Sequence, residues 1–85
     1  MTNIQYQVGQ TQGEITWAAS EHFDELRNHT YDLGQMEATQ IEQLSNLSLT
    51  AKILLSAVAS ALIQHLLDQG LPAAEIFSQG KFKVL

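Results

Sequence analysis

His22, Glu25 and His29 follow one another at i, i+3 and i+7. On a helix those spacings place three side chains along one edge, within reach of each other. Two imidazoles and a carboxylate are donors that suit zinc or another divalent cation. The same residues serve equally well as the half-buried rim of an amphipathic helix, and their spacing matches no zinc-enzyme motif. The expectation is therefore no metal and no cofactor, with a metal-dependent enzyme kept as an alternative on these three residues. Glu37 is the one candidate for general acid–base work, because the apolar pattern around it would bury its carboxyl and raise the pKa. Neither a nucleophile elbow nor a phosphate loop is readable, since no Lys-Ser or Lys-Thr pair follows Gly9 and Gly13. The chain has no cysteine, which excludes thiolate metal sites, disulfides and a cysteine nucleophile together. Binding rather than catalysis is the function these residues support.

Charge narrows the kind of binding. Four Lys and Arg stand against nine Asp and Glu, a net charge of −5, whereas phosphate contacts come mainly from Lys and Arg. Nucleic acid is thus not the expected partner. The acids concentrate in the first half of the chain: Glu14, Glu21, Asp24, Glu25, Asp32, Glu37 and Glu42 all precede residue 50, and Arg27 is the sole base there. Glu21, Asp24, Glu25 and Asp32 are the expected contacts for a basic surface on another protein. The expected function is that of a small acidic interaction module, a regulator or inhibitor. In its extreme form it would occupy the groove in which a partner takes nucleic acid.

The alternative is a helix-turn-helix DNA-binding regulator. Leu66 to Gln79 supplies a helix, a Gly70-Leu71 corner and a second short helix. Its recognition helix, Pro72 to Phe77, offers no side chain that reads bases, so this alternative needs Arg27, Lys52, Lys81 and Lys83 to gather in space. Gln43-Leu44-Ser45-Asn46-Leu47 resembles the short peptide by which bacterial proteins dock on the sliding clamp, without the terminal Phe of that pattern. The same residues fit a helix end.

The elements that must position these groups read as one small α+β domain over the 85 residues. Charged residues make up 15%, well below the roughly 25% of a typical domain, and the chain is not the apolar-poor, charge-rich kind that stays disordered. Ile4, Tyr6 and Val8 alternate with polar residues, as do Ile15 and Trp17, which predicts a β-hairpin around a Gly9–Gly13 loop with Trp17 facing the core. Ser20 is the expected N-cap of a first helix with Ala19, Phe23, Leu26 and Thr30 on one face. A break at Thr30–Gly34 precedes a second helix from about Gln35 to Leu47. The third and strongest helix spans 49–69 and ends at Gly70-Leu71-Pro72, where glycine, an apolar residue and proline stop a helix in turn. A short helix from Ala73 to Phe77 and a terminal strand from Lys81 to Leu85 complete a hairpin-and-strand sheet packed on about three helices, the helix 49–69 central. A mainly α fold is the alternative.

The third helix carries an apolar arc of roughly 200°, against the ≳100° of an ordinary surface helix. Ala57, Ser60 and Ala61 on its remaining sector permit close helix approach, so a homodimer through these residues is expected. The longest near-apolar run, Ile53 to Ile63, has 11 residues, short of the roughly 20 that span a membrane. Met1 to Gln12 holds no leader pattern. A cytoplasmic protein without membrane contact is the expectation.

Overall fold

The computed structural model of the chain describes residues 1–27, 29–36, 44 and 46–85. Strand β1 (Thr2–Val8) and strand β2 (Thr11–Trp17) form the hairpin. A 3₁₀ turn follows at Glu21–Glu25, then strand β3 (Thr30–Asp32) and a second 3₁₀ turn at Leu33–Gln35. Helix α1 (Leu49–Asp68), helix α2 (Ala73–Gln79) and strand β4 (Gly80–Val84) complete the order. The four strands make one antiparallel sheet in the order β2-β1-β4-β3. The small α+β fold is as expected.

The period-2 pattern of β1 and β4 sorts their side chains onto two faces. Ile4, Tyr6, Val8, Phe82 and Val84 are buried under α1, with Tyr31 of β3 stacked on Phe82 at 5.3 Å. Asn3, Gln5, Gln7, Lys81 and Lys83 project from the opposite face, which lies open to solvent, as one-sided antiparallel sheets commonly do. Helix α1 covers the inner face with Ala51, Leu55, Val58, Ala59, Leu62 and Leu66. Ser48 caps its start, its Oγ accepting from the Ala51 N–H at 3.2 Å. Its end is a Schellman turn: Gly70 adopts φ +89°, its N–H donates to Leu67 O at 2.9 Å, and the Leu71 N–H donates to Leu66 O at 3.2 Å.

Five expectations need correction. The hairpin loop is two residues, Gly9 and Gln10, and not five, because β2 starts at Thr11. Gly13 belongs to the strand: a Cβ there would run into the Tyr6 hydroxyl, so the Tyr6 ring occupies the space a side chain would need. The first helix is a five-residue 3₁₀ turn. Phe23 within it and Leu26 at its C-cap are buried, and a separation of three suits a turn with three residues per revolution. The chain must extend again by Thr30, which pairs with β4 where a break was expected. Two α-helices occur among the described residues, against about three expected; most of the predicted 35–47 helix lies outside those residues. Trp17 is half-buried rather than enclosed, because β2 is an edge strand that, among the described residues, pairs on one side only.

Leu62 faces the sheet and is fully buried, whereas Ile53 on the same helix is 62% exposed. Leu62→Ala should cost about 2–5 kcal/mol of stability. Ile53→Ala should stay within about 0.5 kcal/mol of wild type. Urea midpoints of the two variants measure this difference directly.

Candidate functional site

Glu25 ties the acidic turn to the start of the long helix. Its Oε1 accepts from the Ser48 N–H at 3.1 Å, and its Oε2 accepts from Ser48 Oγ at 2.9 Å. These bonds, the backbone one first, hold the carboxyl below its ordinary value of 4.5; burial opposes them, and the His22 ring, 3.6 Å away, adds to them. Asp24 pairs with Arg27, whose Nε also donates to Leu85 O at 3.3 Å. Glu21, Asp24 and Glu25 therefore stand beside the N-terminal end of α1. Asp32 is elsewhere, opposite Lys81 in the β3–β4 register.

The outward face of α1 begins at that same end. Leu49 is 74% and Ile53 62% exposed. The helical row continues through Ala57 and Ser60, both exposed, to Gln64, and none of these five residues is charged. Ala61 is half-buried at the flank of the row. Sequence reasoning passed over Leu49 and Ile53, since both merge into a helix that is apolar almost all round. Only knowing which face meets the sheet shows that they point away from it. The helix is also long and apolar enough to cross a membrane, a property that the core helix of a soluble domain shares. The run Ile53–Ile63 is only part of that length.

The possible metal ligands are not brought together. The 3₁₀ turn ends at Glu25, so His29 no longer shares a face with His22; its ring tilts against Tyr31 at 4.8 Å instead. Among the described residues no three His, Asp or Glu side chains stand close enough to hold an ion. His65 bridges layers, with Nε2 at 3.4 Å from the Tyr6 hydroxyl and 3.0 Å from Gln69 Nε2. Glu37, Glu42, Gln43 and Ser45 lie outside the described residues, while Leu44 and Leu47 of the clamp-like stretch pack half-buried against the core.

The basic residues do not converge either. Lys81 and Lys83 line a shallow groove of about 290 Å³ on the open sheet face, with Gln5, Gln7, Gln12 and Thr30. Lys52 belongs to the helix layer on the other side of the sheet. Helix α2, the recognition helix of the DNA-binding alternative, has seven residues, buries Ile76 and runs straight into β4. No family model matches this chain, and neither does any curated protein or solved structure.

Because the Glu25 carboxyl is depressed in the fold, its contribution to stability is present above the unfolded value and is lost as pH falls through the folded one. The denaturation midpoint should therefore drop as pH falls below about 4.5, and Glu25→Gln should flatten that drop. Denaturant titrations at a series of acidic pH values measure both slopes.

Proposed function

We propose that the protein is a non-catalytic interaction module: a cytoplasmic homodimer that binds a second protein and acts as a regulator or inhibitor. The observation that carries this reading is the exposed Leu49–Ile53 row beside the acidic turn, joined to it through the Glu25–Ser48 bonds. An apolar centre with a charged rim is the anatomy of a protein-binding patch. Its chemistry suits a basic amphipathic segment, whose apolar residues would cover Leu49 and Ile53 while its cations face Glu21 and Asp24. Glu25 contributes chiefly as the clasp that sets the rim, since both of its oxygens are engaged by Ser48. The small residues Ala57, Ser60 and Ala61 leave the rest of the helix free of bulk for close approach.

Contact with a membrane is not part of this reading, in which α1 stays packed on the sheet through six of its residues.

Ile53→Arg places a cation in the middle of the row without touching the core. Affinity capture from the native host, with bound protein mapped by cross-linking to Leu49–Ser60, is the test. Wild type should retain a protein that Ile53→Arg loses by at least about tenfold, and retention should weaken as salt rises. Retention indifferent to both changes would overturn the reading.

A further inference from the structure

We infer that β2 is the self-association surface of this protein, pairing edge to edge with β2 of a second copy. The inference deepens the homodimeric reading above and rests on it. The two edges of the sheet are treated differently. At one edge β3 is only three residues long and lies between two 3₁₀ turns in the chain. At the other, β2 runs for seven residues in one-to-one register with β1, without a bulge, a proline or a lysine. Those are among the devices by which edge strands avoid pairing with other chains, and the one charge on β2 is Glu14.

The parity of the ladder fixes which groups are free. The Leu85 N–H donates to Asn3 O at 3.0 Å, so Asn3 bonds toward β4. By the alternation of an antiparallel ladder, Thr2, Ile4, Tyr6 and Val8 then bond toward β2. Gly13, Ile15 and Trp17 spend their backbone groups inward, while Gln12, Glu14 and Thr16 aim theirs outward.

That outward edge is its own complement. An antiparallel pair centred on Ile15 sets Glu14 against the partner's Thr16 as a hydrogen-bonded pair, twice by symmetry. A pair centred on Glu14 would oppose two carboxylates, which disfavours it.

Among the described residues, the inner face of the same edge is unfinished. Ile15 and Trp17 are half-buried there. The Tyr6 ring crosses Gly13 to reach His65, so the flank of α1 bearing His65 and Ala61 overhangs β2. In the paired sheet the two β1 strands would be three spacings apart, about 14 Å. Two helices lying near them would be too far apart for direct packing, which needs about 8–10 Å. The channel between them is the place for Ile15 and Trp17 of both copies, and the small Ala61 on that flank leaves it open. A second copy therefore completes both layers at once, the ladder and the core.

Thr16 is exposed on the open face, so its substitution spares the core. The test is sedimentation velocity across micromolar concentrations, with circular dichroism to confirm folding. Thr16→Lys should tighten the dimer and Thr16→Glu should loosen it, each by about 2- to 30-fold from two symmetric cross-strand pairs. Thr16→Pro removes an outward N–H donor without breaking the β1–β2 ladder, and should loosen the dimer at least tenfold. A wild-type protein that is monomeric throughout overturns the homodimeric reading and this inference with it. A wild-type dimer that ignores all three Thr16 changes, yet is split by Ala57→Arg, keeps the homodimer and overturns the edge pairing.

Discussion

The burial of one face of α1 on one face of a four-stranded sheet is the contact on which the rest of the molecule depends. The six buried side chains of the helix meet Ile4, Tyr6, Val8, Phe82 and Val84, and the remaining elements arrange themselves around that contact. The size of the parts decides what is left uncovered. A helix with its side chains is about 10–12 Å across. Four strands at about 4.8 Å spacing span more than that. One helix cannot close the whole inner face. Phe23, Leu26 and Leu33 from the two 3₁₀ turns complete it on the β3 side, while the β2 side keeps Ile15 and Trp17 half-covered.

The clasp between Glu25 and Ser48 is a second consequence of the same arrangement. A helix start carries unsatisfied N–H groups and the positive end of the dipole. Ser48 satisfies one of those groups from within, and Glu25 holds Ser48 from across the chain. An acidic turn is thereby fixed where the outward apolar row begins. The acidity of the first half of the chain is thus divided: Asp24 is paired with Arg27, Glu25 is a cap component, and Glu21 faces solvent.

Much of the fold is legible in the sequence where one period dominates. The alternation of Ile4, Tyr6 and Val8 and of Phe82 and Val84 marks two central strands, and Ser48 and Gly70 mark both ends of the long helix. Legibility fails where a neighbour, not the residue, decides the structure. Gly13 sits at an inward strand position where the Tyr6 ring takes the space of a side chain, and Thr11 at the strand's start is exposed, so the strand reads as loop. Phe23 and Leu26 fit a helix and a 3₁₀ turn alike, and only the pairing of Thr30–Asp32 with β4 selects the turn. The surface residues fared the same way. Glu21, Asp24 and Glu25 were readable as an acidic cluster, but their place beside Leu49 follows from a bond between residues 23 positions apart. The free edge of β2 has no signature in one dimension at all.

The central claim is that a single helix leaves the β2 side of this sheet unfinished and that a second copy finishes it. Site-resolved amide hydrogen exchange of the wild-type protein, at concentrations far above and far below the dimer dissociation constant, tests it most directly. The Ile15 N–H points into the β1 ladder and should be protected at both concentrations. The Glu14 and Thr16 N–H groups point out and should be protected only at the high one. Outward amides that exchange rapidly at every concentration, beside a protected Ile15, would contradict the account.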